Sequence, residues 1–94
     1  MFYTYVLLSK KDNLFYTGYT LDLRNRLKEH TEGKVHSTRY RLPVTLIYYE
    51  ACMNKEDAKR RERTLKSGRG KAYLKKRLKG FLQCSGFGPN IGSP

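Results

Sequence analysis

Phe2-Tyr3-Thr4-Tyr5-Val6-Leu7-Leu8 and Leu14-Phe15-Tyr16-Thr17-Gly18-Tyr19-Thr20 flank the polar run Ser9-Lys10-Lys11-Asp12-Asn13, and this stretch decides the fold. Both flanks are rich in aromatic and β-branched residues, so the segment reads as a β-hairpin. Successive side chains alternate across a strand. Tyr3, Tyr5 and Leu7 therefore line one face of the first strand, and Leu14, Tyr16 and Gly18 one face of the second. Simple pairing brings Tyr5 and Tyr16 close together, and Gly18 leaves their face open for a close approach.

Beyond the hairpin, Asp22 is suited to cap a helix from Leu23 to about Thr31, and Gly33 supplies the stop. A basic loop, Gly33 to Pro43, leads to Val44-Thr45-Leu46-Ile47-Tyr48-Tyr49, the strongest strand signal in the chain. Asn54 caps a second helix, with Glu56 and Asp57 in its first turn, which runs through Lys66 to the Ser67-Gly68 break. A third helix is expected from about Lys71, with Leu74, Leu78 and Phe81 as its buried stripe. The order is hairpin, helix, strand, helix, helix. It predicts an α/β (α+β) fold in which a three-stranded, mainly antiparallel sheet is flanked by helices. Residues 1–82 are expected to form one domain, and 83–94, rich in Gly, Ser and Pro, a loose tail.

The chain has 94 residues, with 20 Lys and Arg against 8 Asp and Glu, a formal net charge of +12. Such an imbalance calls for a polyanionic partner, and nucleic acid is the first candidate. A membrane surface fits less well, since the cations are spread along the chain and no long apolar stretch stands out. Two cysteines, Cys52 and Cys84, form neither a disulfide framework nor a zinc or redox motif. The N-terminal residues lack the pattern of a secretion signal, which leads to an expected cytoplasmic location.

Several polar residues fall where core residues belong. In the first helix Leu23, Arg26, Leu27 and His30 share a face, so Arg26 and His30 point where the leucines must be buried. The structural alternative is that both sit at the edge of the stripe, with the Arg stem snorkelling outward. In the second helix Glu62 shares a face with Ala58, Leu65 and Lys66, and it is the only acidic residue between Ala58 and Gly80. A solvated Glu62 paired with Lys66 is the alternative there. A carboxylate among cations stays ionised, as a hard divalent cation requires of its oxygen ligands. Together Tyr5, Tyr16, Arg26, His30 and Glu62 supply a proton acceptor, a cation for a phosphate and a metal ligand, a set suited to phosphodiester cleavage.

Tyr3-Thr4-Tyr5, then Tyr16-Thr17-Gly18, then Asp22-Leu23-Arg24-Asn25-Arg26-Leu27 and His30 resemble the GIY-YIG nuclease domain, over about residues 1 to 80. The resemblance is strongest to the small stand-alone bacterial and archaeal members, and more distant to the N-terminal nuclease domain of excinucleases and to certain homing endonucleases. It implies a three-stranded sheet with flanking helices and one divalent metal, Mg²⁺ or Mn²⁺. By position it implies catalytic roles for Tyr5, Tyr16, Arg26 and His30, metal binding for Glu62 and a structural role for Gly18, without deciding which tyrosine is the base. The chain departs from the family pattern in having Tyr3 at the first motif glycine, Tyr19 where several active nucleases have Lys, and Tyr73-Leu74 near the spacing of a late asparagine.

The implied function is a metal-dependent endonuclease of DNA, with branched or damaged structures among its candidate substrates. The alternative is a catalytically weak or inactive nucleic-acid-binding module of the same fold. DNA is the expected partner, with RNA second and no membrane; a protein partner or homo-oligomer is not legible. Candidate phosphate contacts are Arg24, Lys34, Arg39 and Arg41 in the first half, and Lys66, Arg69 and Lys71 in the second. The stretch from Lys55 to Lys79 alone carries 12 Lys and Arg against three acidic residues.

Overall fold

The computed structural model describes residues 1–84. Its elements are β1 (Phe2–Ser9), β2 (Phe15–Thr20), α1 (Leu23–Thr31), β3 (Val44–Cys52), α2 (Lys55–Lys66), α3 (Gly68–Arg77) and α4 (Lys79–Cys84). The three strands form one antiparallel sheet, as the sequence predicts, and their order is β2-β1-β3. The chain divides into two compact units, Met1–Glu62 and Arg63–Pro94.

In the first unit β1 is the central strand, paired on both edges. This explains its continuous apolar run: Tyr5, Val6, Leu7 and Leu8 are all fully buried, so both faces of the strand meet protein. The hairpin register pairs Tyr5 with Gly18 and Leu7 with Tyr16. Tyr5 and Tyr16 are thus diagonal neighbours on one face, with ring centroids 6.4 Å apart. On the opposite face the Thr4 hydroxyl donates to the Ala58 carbonyl at 2.8 Å, fixing the first turns of α2. A second anchor is the Arg61 Nε, which donates to both Glu50 carboxylate oxygens at 3.0 and 2.9 Å. Glu62 is the next residue along, so its position is set by contacts to β1 and β3.

The helix caps follow the sequence. Asp22 accepts the Asn25 amide at 3.1 Å, Asn54 accepts the Asp57 amide at 3.0 Å, and Gly33 has φ +75°. The basic loop before β3 is tied to the hairpin turn. Ser9 donates to the Arg41 carbonyl at 2.6 Å, the Lys10 amide donates to the Pro43 carbonyl at 2.9 Å, and the Arg41 guanidinium pairs with Asp12 at 2.7 Å.

In the second unit Ser67 caps α3 by accepting the Gly70 amide at 3.1 Å. Gly70 is buried, and a Cβ there would strike the Thr64 carbonyl and the Leu65 backbone, so only glycine fits the turn. One expectation is corrected. The single helix with Leu74, Leu78 and Phe81 inward is instead two helices separated at Leu78, the C-cap of α3. The break resets the angular phase, so Leu74 and Leu82 are the buried residues while Phe81 is 43% exposed. The last helix extends through Cys84, two residues into the stretch read as tail, and residues 85–94 lie outside the described residues.

Candidate active site

Of the residues singled out by sequence, Tyr5, Tyr16, Arg26 and His30 come together in the first unit where α1 crosses the sheet. The His30 ring stands edge-on to both tyrosines, with centroids 5.6 Å from Tyr5 and 5.2 Å from Tyr16. The Tyr5 hydroxyl lies 2.8 Å from His30 Nε2, and Arg26 Nε donates to the same oxygen at 3.4 Å. Arg26 also pairs with Glu29 one helical turn on, at 3.2 Å.

Gly18 makes this meeting possible. It is the cross-strand partner of Tyr5, and a Cβ at this position would collide with the Tyr5 hydroxyl and sit 2.9 Å from its Cε1. The phenol occupies the space that any other residue would fill.

Burial separates the four side chains into two kinds. Tyr5 and His30 are 0% exposed, whereas Tyr16 is half-buried and the Arg26 side chain is 36% exposed. The buried pair is held neutral. Burial, with Tyr16 and Glu62 adding to it and Arg26 opposing, raises the Tyr5 pKa to about 12. Burial again, reinforced by the nearby Arg26 charge, lowers that of His30 to about 4. The Tyr5 hydroxyl beside Arg26 raises the guanidinium's pKa further, so it stays cationic. The site thus presents one fixed positive charge and one phenol toward solvent, backed by two neutral buried groups.

Glu62, half-buried on α2, is close enough for its charge to bear on the Tyr5 hydroxyl. Among the described residues no group of three or more His, Cys, Asp and Glu is assembled for a metal. Glu62 is the carboxylate on this side of Tyr5 that could hold a cation. That fits Mg²⁺, which keeps several waters and is commonly bound through one or two carboxylates together with substrate phosphate oxygens.

Two residues that sequence reasoning missed complete the surroundings, both in the loop before β3. The Ser37 hydroxyl donates to the Tyr16 hydroxyl at 3.2 Å, and the Thr38 hydroxyl lies 2.7 Å from His30 Nδ1 with Thr38 fully buried. No spacing rule relates a loop threonine to a helix histidine eight residues earlier, and only the folded loop brings them together.

The candidate phosphate contacts lie in different settings. Arg24 is exposed and borders a groove of about 480 Å³ in the first unit, between Tyr3, Leu27 and Tyr49. Lys34 is exposed and pairs with Glu32 at 3.1 Å, while the Arg39 guanidinium stacks 4.8 Å over the Tyr40 ring. Arg41 is engaged with Asp12 and the Leu14 carbonyl as a clamp on the hairpin turn. Lys66, Arg69 and Lys71 are exposed in the second unit.

Residues 1–79 match the family model described as the GIY-YIG catalytic domain. The chain belongs to the GIY-YIG family. The GIY-YIG catalytic domain is the domain of a nuclease family. This chain is 54% identical over 57 residues to UPF0213 proteins of Streptococcus pyogenes, serotype M5 (strain Manfredo) and serotype M28 (strain MGAS6180). Each match covers 60% of this chain and 61% of the relative, so the chain spans about three-fifths of the length of these curated relatives. No solved structure matches it. Among its described residues no helix is long and apolar enough to cross a membrane.

Proposed function

We propose that this chain is a divalent-metal-dependent endonuclease that hydrolyses phosphodiester bonds of DNA, with the first unit as its catalytic centre. The observation that carries the reading is the division of the site: Arg26 and Tyr16 reach solvent, while Tyr5 and His30 are buried behind them and bonded to each other. In phosphodiester hydrolysis a water attacks in line as the opposite P–O bond breaks, and negative charge grows on the non-bridging oxygens. Arg26 is the group to meet that charge, since it is permanently cationic and accessible.

Tyr16 is the tyrosine suited to contact the attacking water, because its hydroxyl is accessible whereas that of Tyr5 is enclosed by His30 and Arg26. Tyr5 and His30 then act by holding Arg26 in place. Glu62 would hold one divalent metal, Mg²⁺ or Mn²⁺, which when bound polarises a phosphoryl oxygen and steadies the leaving alkoxide. Arg24, Lys34 and Arg39 in the first unit, and Lys66, Arg69 and Lys71 in the second, provide exposed positive charge for the nucleic-acid backbone. Contacts of this kind set affinity and its salt dependence, and they read no sequence. Acting on nucleic acid of this class, the protein is expected in the cytoplasm.

A panel of labelled branched, flapped, linear and single-stranded DNA, with matched RNA, tests the assignment. The wild-type chain should cut at least one DNA with Mg²⁺ or Mn²⁺ and stop when EDTA is added. Salt-sensitive binding with no cutting under either metal would favour the binding module over the nuclease.

A further inference from the structure

The loop residue Thr38 has no role in the set considered so far, yet its hydroxyl is buried against the far side of the histidine ring. Its position is the end of a continuous row of polar atoms. Thr38 Oγ1 lies 2.7 Å from His30 Nδ1, His30 Nε2 lies 2.8 Å from the Tyr5 hydroxyl, and that hydroxyl is bonded to Arg26 Nε at 3.4 Å. The first three of these residues are each 0% exposed, so water cannot replace a missing partner.

The direction of the row follows from what each group can do. Arg26 is only a donor, so the Tyr5 oxygen accepts from it. The Tyr5 proton must then find an acceptor, and within the fold that acceptor is His30 Nε2. A neutral imidazole with a lone pair on Nε2 carries its proton on Nδ1. His30 Nδ1–H therefore donates to Thr38 Oγ1, and every bond in the row runs from the guanidinium toward the loop. Bonds arranged head to tail polarise one another, so the last acceptor influences the first donor.

We propose that Thr38 is a positioning residue: as the terminal acceptor it bonds the Nδ1–H that the Tyr5 contact imposes on His30, and through His30 and Tyr5 it orients the Arg26 guanidinium. The neighbouring Ser37 instead donates to the Tyr16 hydroxyl, in an exposed bond, so one dipeptide of the basic loop is linked to both solvent-facing groups of the site. The loop that carries Lys34 and Arg39 thereby also holds the geometry of Arg26. The tautomer stands on the geometry alone, while its kinetic consequence rests on the nuclease reading above.

Long-range ¹H–¹⁵N spectra of the imidazole nitrogens decide the tautomer without any substrate, with His36 as the second histidine for comparison. The wild-type chain and Thr38→Ser should carry the His30 proton on Nδ1 in a hydrogen bond, and Thr38→Val, which keeps the shape but removes the acceptor, should leave that proton unbonded, read as an upfield shift of its ¹H signal. On the DNA that the wild type cuts, Thr38→Val should lower kcat on the order of tenfold or more, and Thr38→Ser should restore it. KM should stay within about twofold, because the lost contact supports Arg26 without itself touching the substrate. An Nε2–H tautomer in the wild type would overturn the proposal, and that spectrum requires no variant to fold. An unshifted Nδ1–H signal in a folded Thr38→Val, or an unchanged kcat, would overturn it as well. If the wild type cuts nothing, the nuclease reading fails while the spectra still test the tautomer.

Discussion

Arg26→Ala is expected to lower the single-turnover cleavage rate by about 10²-fold to 10³-fold, the usual effect of removing one preorganised group from a site of developing negative charge. The guanidinium is fixed from two sides, by the Tyr5 hydroxyl at 3.4 Å and by Glu29 at 3.2 Å. A group held in this way does not have to reorganise as charge builds on the phosphate. Arg26→Lys keeps the charge but has neither the Nε donor nor the planar fork, so it should recover only part of the loss. Stability should change little, because the side chain is partly in water and its pair with Glu29 is an exposed one. Circular dichroism and melting curves of both variants, alongside rates at fixed metal concentration, check this. A rate near that of the wild type for Arg26→Ala would remove the guanidinium from the chemistry.

Gly18→Ala should damage the site from the opposite edge of the sheet. The added methyl group would lie on the Tyr5 hydroxyl, and Tyr5 is fully enclosed, so the ring cannot swing into water. Relief requires moving Tyr5 away from His30 and Arg26 or moving β2 away from β1. Overpacking of a close-packed interior of this kind costs about 1–3 kcal/mol. Loss of the Tyr5 bonds to His30 and Arg26 should also bring the cleavage rate down by about 10²-fold, since a misplacement of about 1 Å has that effect. The two results are measured separately, by chemical unfolding and by single-turnover cleavage. A variant that melts and cuts like the wild type would show that Gly18 is not the space Tyr5 needs.

Much of the fold was legible because its signals are local. Asp22, Asn54 and Gly33 act on backbone groups within a turn of themselves, so the helix limits they predict are those observed. The hairpin was equally clear, because alternation fixes faces once two strands are paired. The helix after Ser67 was less legible. Leu74, Leu78 and Phe81 have the spacing of one continuous stripe, and nothing at Leu78 announces that α3 stops there.

The candidate site follows the same division. Arg26 and His30 stood out because they interrupt an apolar face at helical spacing, and Tyr5 and Tyr16 because they share a sheet face. Thr38 and Ser37 gave no such signal, since a loop has no period and its contacts depend on how the Asp12–Arg41 and Ser9–Arg41 links fold it back. Relative burial was hidden too. Alternation puts Tyr5 and Tyr16 on one face, but only the central position of β1 makes Tyr5 the enclosed partner.

Cleavage of one labelled DNA by wild type and Glu62→Ala, purified side by side and assayed with Mg²⁺, tests the role of the site directly. Glu62 is half-buried, bears electrostatically on Tyr5 and is the one carboxylate the account gives to the metal. Wild type should cut, and Glu62→Ala should fall to the level of wild type in EDTA while keeping its fold and its salt-sensitive DNA binding. Equal cutting by the two proteins would contradict the account, because the activity would then owe nothing to this site.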